Sequence, residues 1–93
     1  MENTTTSIGL NLIRQQIHEY VAMNFLFDGS ATRLDDDASL SALNVLDQTG
    51  VLELALFIEE TYGVQVDEAD VTPENFDSVN AIAGYVRRLL ANG

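Results

Sequence analysis

Residues 47–66 read DQTGVLELALFIEETYGVQV, and this stretch decides the fold. Val51, Leu54, Ala55, Ile58 and Tyr62 recur at the spacing of one helix face. Leu52, Leu56 and Phe57 widen that apolar stripe, while Glu53, Glu59 and Glu60 remain polar. Asp47 or Gln48 stands at the N-terminal boundary, and Gly63 suits the left-handed residue that follows a last helical turn. The pattern predicts a helix over residues 49–62. Val64-Gln65-Val66 then reads as extended, and too short to build a sheet.

Upstream, Leu10, Ile13, Ile17, Tyr20 and Val21 recur at helical spacing, with Arg14, Gln15, Gln16, His18 and Glu19 on the other face. They predict an amphipathic helix from about residue 8 to about residue 24, with Ser7 as its N-cap. Residues 25–46 are the least regular. Asp28-Gly29-Ser30 is a turn sequence and Asp35-Asp36-Asp37 an acidic run, with Leu26, Phe27, Leu34, Leu40, Leu43, Val45 and Leu46 dotted through. A long loop without order of its own is uncommon inside a small domain, so these apolar residues are expected to be pinned to the core. Downstream, Thr72-Pro73-Glu74 pairs an N-cap with proline at the first helical position, giving one short turn. Val79, Ile82, Ala83, Val86 and Leu90 form the stripe of a last helix over about residues 78–90, capped by Asp77 or Ser78. Arg87 and Arg88 fall in its last turn, where cations suit the helix dipole. The expected fold is all-α: a four-helix bundle of three longer helices and one short one, with a long loop between helices one and two. Residues 1–7 read as a flexible polar leader and residues 8–93 as the domain.

Composition narrows function. The chain has 93 residues, enough for one small domain, and 46% of them are hydrophobic. Its formal charge is -11, with 15 acids against 4 bases, and every base is arginine. Such a chain repels nucleic-acid phosphates and anionic membrane surfaces, and attracts a partner with a basic patch. There is no cysteine, which removes thiolate nucleophiles, disulfides and cysteine-based metal sites. No apolar run approaches a membrane span, and residues 1–7 lack the pattern of a signal peptide, so a cytoplasmic monomer is the default expectation.

Several offsets coincide. Asp47, the pair Glu53-Leu54, the cluster Ile58-Glu59-Glu60, the pair Tyr62-Gly63, and Val64 with Val66 fall at matching positions in acyl carrier proteins. Phe76-Asp77-Ser78-Val79 with Ile82 is similar to that family's entry into its last helix, and Asp37-Ala38-Ser39-Leu40 resembles the loop before the motif. Residues 47–50 are similar to carriers that read Asp-Ser-Thr-Gly. The resemblance covers nearly the whole chain from about Leu10.

In that family a serine at the second motif position attacks the pyrophosphate of coenzyme A, in a reaction run by a separate transferase. The product is a 4′-phosphopantetheine arm on a phosphodiester, and the arm's thiol carries the cargo as a thioester. The resemblance implies that Gln48 occupies the arm-bearing position and that Asp47 belongs to what the transferase and its metal ion engage. A carboxamide has no nucleophilic hydroxyl, so this chain is expected to bear no arm. Ser39 and Ser41 are not substitutes, since they lie in the acidic loop rather than at the helix start. Either Gln48 blocks an otherwise ordinary carrier, or the chain is a divergent carrier-like binding or regulatory module without the prosthetic group. The resemblance further implies Glu53, Glu59 and Glu60 as partner-binding residues, which otherwise read as simply solvated. The partners it implies are a phosphopantetheinyl transferase for a Gln48→Ser form, an AMP-forming acyl or aminoacyl ligase, and synthases or transferases with basic patches. The cargo class, fatty acyl, polyketide or aminoacyl, stays open.

No catalytic or metal-ligating set is expected. Asp35, Asp37 and Ser39 imitate the start of a calcium loop, but Leu40 stands at its glycine position and Leu46 at its closing glutamate. His18, the sole histidine, reads as a surface residue, and no Ser-His-Asp set or phosphate loop can be assembled.

Overall fold

The computed structural model describes residues 9–25, 34–43 and 46–92. The leader, Ser7, Ile8, Leu26, Phe27, the Asp28-Gly29-Ser30 turn and Val45 lie outside the described residues. Among the described residues four α-helices follow in order: α1 Leu10–Phe25, α2 Gln48–Tyr62, α3 Pro73–Phe76 and α4 Val79–Asn92. A 3-10 turn, Glu68–Asp70, precedes α3. No strand occurs among the described residues, and the all-α, four-helix expectation holds.

Local chemistry sets the helix ends. Gly63 takes φ 67°, and its N–H donates to the Glu59 carbonyl, closing α2. Thr72 is extended and Pro73 opens α3, although no side-chain cap forms there. Ser78 caps α4, its Oγ accepting from the Ala81 N–H at 3.0 Å. Asp67 caps the 3-10 turn, which the sequence pattern did not announce.

The core joins one stripe from each long helix. Ile13, Ile17 and Val21 of α1 meet Leu54 and Ile58 of α2 and Val79, Ile82 and Val86 of α4, all fully buried. From the loop, Leu40 is fully buried and Leu46 nearly so, as expected of pinned leucines. Other expected core residues are not core. Leu52 is 52% and Leu56 57% exposed. The buried row of α2 runs through Gly50, Leu54, Ala55 and Ile58. A residue two places from Leu54 turns about 200° around the axis and faces outward. Leu43 and Leu10 are also exposed. Tyr85 fills the core of α4 instead, buried against Phe76 with ring centroids 5.5 Å apart. Because α4 runs on to Asn92, Arg87 and Arg88 lie before its last turn, not in it. Arg88 donates to Asn75 of α3 at 3.0 Å and sits 5.9 Å from the Tyr85 ring centroid.

Residues 34–43 are stitched to α1, to Asp77 at the end of α3 and to α4 by polar bonds. The Leu40 N–H donates to the Asp77 carbonyl at 2.7 Å, and the Asn80 N–H to the Asp36 carbonyl at 2.9 Å. The Asn80 side chain accepts from Arg14 and donates to Asp37. His18 is half-buried, with Nδ1 at 3.0 Å from Asp36 Oδ1, so it joins α1 to the loop rather than standing clear on the surface. The acidic run is thus spent partly on anchorage: Asp36 and Asp37 both take partners from helices.

Candidate functional site

The start of α2 is built by Asp47. Its backbone is extended, and its Oδ1 accepts from the Gly50 N–H at 2.7 Å. Its carbonyl accepts from Val51 at 3.0 Å, the first bond of the helix ladder. Gly50 is buried against α1: a Cβ there would stand 3.1 Å from the Phe25 ring and 3.3 Å from Leu46. That close approach lays the first turn of α2 on the end of α1, and the sequence reading gave Gly50 no such role. Gln48 is the first helical residue and is exposed, as is Thr49. Their N–H groups have no acceptor within the helix, which is the general condition of a first turn.

A cavity of about 410 Å³ opens beside Gln48. Its walls are Leu46, Val51 and Leu52 on one side and Val71, Pro73 and Phe76 on the other. Ser41, Gln48, Glu68, Thr72 and Asp77 supply its polar atoms. The lining is therefore shared by α2, the 3-10 turn, α3 and the loop.

Asp77 holds the loop side of this cavity. Its carboxylate accepts from the Ser39 hydroxyl and from the Ser41 N–H, the latter at 2.9 Å. These bonds, the Ser39 hydroxyl first, hold the Asp77 carboxyl below the ordinary carboxylate range. The Ser39 Oγ also accepts from the Ala42 N–H at 3.2 Å, which makes it a capping atom of the loop turn. Across the fold, burial and a bond to Asp70 push the Tyr85 hydroxyl up to about 12.

The predicted partner-binding acids differ from one another. Glu53 and Glu60 are exposed on α2. Glu59 is half-buried, and its Oε2 accepts from the Val66 N–H at 2.9 Å, holding the segment after the helix. Exposed Leu52 and Leu56 lie on the same helix as Glu53 and Glu60, which makes its outer face mixed acidic and apolar. The sequence reading had placed those leucines inside. Among the described residues, no group of three or more histidines or acids is disposed to hold a metal ion.

No family model matches the chain. A protein of Serratia sp. (strain ATCC 39006), the probable acyl carrier protein PigG, is 27% identical over 81 residues, covering 87% of this chain and 92% of its own. The comparison supports the acyl carrier protein family. The all-helical architecture is consistent with that family's bundle. A 4′-phosphopantetheine arm is the family's usual prosthetic group, and Gln48, where the resemblance implies the attachment serine, has no hydroxyl to form the phosphodiester.

Proposed function

We propose that this chain is a carrier-type protein that works by docking to partner enzymes, and that with Gln48 it bears no phosphopantetheine arm. The observation that carries the reading is the position of Gln48. It is exposed, at the first turn of a helix capped by Asp47, on the lining of a cavity with mixed apolar and polar walls. That is where the resemblance implies an attachment residue, and a helix N-terminus favours a phosphate-linked group. Similarity to a probable acyl carrier protein supports a carrier role for an arm-bearing form, with the cargo acyl or aminoacyl. On this reading the chain is not an enzyme: its residues present and orient, and catalysis belongs to the partner.

Asp47 caps the first turn, and position 48 is exposed on it. The outer face of α2, with Glu53, Glu60, Leu52 and Leu56, is the docking face, where acids steer a basic patch and leucines add apolar contact. Glu59 contributes less, since its carboxylate is engaged by Val66. Partners of this chemistry are a phosphopantetheinyl transferase, an AMP-forming ligase, and synthases or transferases.

The second reading, a binding module that has left the prosthetic group behind, draws on the same Gln48. Incubation of the chain and its Gln48→Ser form with coenzyme A and a promiscuous phosphopantetheinyl transferase separates the two. The carrier reading expects the substituted form to gain the arm and the parent to stay bare. A Gln48→Ser form that stays bare while a known carrier is loaded overturns it.

A further inference from the structure

We propose that Tyr85 is the catch of a strap: it fastens residues 68–76 to α4, and this strap parts from α2 only when the catch opens. Tyr85 is buried, and its hydroxyl donates to Asp70 Oδ2 at 2.9 Å. The Asp70 carbonyl accepts from the Asn75 side chain at 2.9 Å, and the Asn75 side-chain oxygen accepts from Arg88 at 3.0 Å. Arg88 in turn lies 5.9 Å from the Tyr85 ring centroid, so the path starts and ends on α4. It runs through the 3-10 turn at Asp70 and through α3 at Asn75. The Phe76 ring adds an apolar contact to Tyr85. Both ends of the strap are pinned elsewhere. Val66 donates to Glu59 before it, and Asp77 takes the Ser39 hydroxyl and the Ser41 and Leu40 N–H groups after it.

The α2 side holds the strap by no polar bond. Among the described residues, no hydrogen bond joins Gln48–Tyr62 to residues 68–76. Helix α2 is fastened to α1 instead, by the Tyr20–Phe57 stack at 4.1 Å and by Tyr62 donating to Gln16 at 2.6 Å. The two sides of the cavity therefore belong to different long helices, and the seam between them is the apolar one. A hydroxyl donating to a carboxylate from a buried ring outweighs the exposed Arg88–Asn75 bond, which puts the catch at Tyr85. Burial and Asp70 keep the proton on that hydroxyl far above neutral pH, so it remains a donor.

Amide hydrogen exchange of the full chain tests this. The reporters are the Val71, Phe76 and Asp77 amides, which donate to the Glu68, Thr72 and Pro73 carbonyls. Tyr85→Phe is expected to speed their exchange at least about tenfold, and that of Ile17 and Leu54 by a clearly smaller factor. Asp70→Ala should reproduce the pattern, and the double variant should be no faster than either single one, because all three lose the same bond. Ile82→Val, which trims the buried core of α4, should do the reverse, speeding Ile17 and Leu54 more than Val71 and Phe76. Uniform acceleration in Tyr85→Phe would make Tyr85 an ordinary core residue and overturn the proposal. Unchanged exchange at Val71 and Phe76, or additive effects in the double variant, would overturn it likewise. Should Tyr85→Phe fail to fold, Asp70→Ala decides, since Asp70 is only half-buried. The outcome is independent of whether a Gln48→Ser form takes an arm.

Discussion

Asp47 closes the first turn of α2 through one bond, from Gly50, and that bond has a measurable worth. Asp47→Ala should cost about 1 kcal/mol in chemical denaturation, and Asp47→Asn much less, because asparagine caps nearly as well. Gly50→Leu should cost about 1–3 kcal/mol, since the added atoms meet Phe25, Leu46 and the capping oxygen together. Asp77 links stability to pH. Its folded pKa is depressed by the Ser39 and Ser41 donors, so the stability it contributes is present above the unfolded carboxyl value and lost as pH falls through the folded one. Denaturation of the chain and of Asp77→Asn across the acid range should therefore show curves that converge as pH drops. Parallel curves would mean that the Asp77 bonds carry no net stabilisation.

Helix α2 has two faces that respond differently to substitution. Leu54→Ala should destabilise by about 2–5 kcal/mol, because Leu54 is fully buried. Leu56→Ala should stay within about 0.5 kcal/mol in stability yet weaken a docking partner, because Leu56 is exposed. Glu53→Lys should slow association with a basic partner, more at low salt than at high. The existence of this helix was legible from its period, its closing glycine and its capping aspartate. Its inward face was not fully legible, because the helix carries more leucines than one face can bury. Only the placement of α1 and α4 assigns Leu54 inward and Leu52 and Leu56 outward. The site was legible in the same uneven way. Gln48 stood out through the family resemblance, whereas the cavity joins residues from Leu46 to Asp77 across four segments, and no local pattern announces such a meeting. Glu59 read like its neighbours, and its bond to Val66 depends on how the chain turns after Gly63.

At the scale of the molecule, charge and loop anchorage dominate. A chain of -11 works against its own repulsion, so added salt should raise the melting temperature, and flat melting across ionic strength would contradict that. The loop before α2 is held at Asp36, Asp37 and Leu40 by α1, by Asp77 after α3 and by the start of α4, and in turn it supplies Ser41 and Leu46 to the cavity. Position 48 is thus presented by the whole bundle, not by its helix alone. The central claim is that this position, and none of the hydroxyl-bearing residues nearby, is where the fold would accept an arm. Peptide-level mass spectrometry of the chain and its Gln48→Ser form, after treatment with coenzyme A and a promiscuous transferase, tests it most directly. The account predicts an arm on residue 48 of the substituted form and an unmodified parent. An arm on Ser39, Ser41 or Thr49, or any arm on the parent chain, would contradict it.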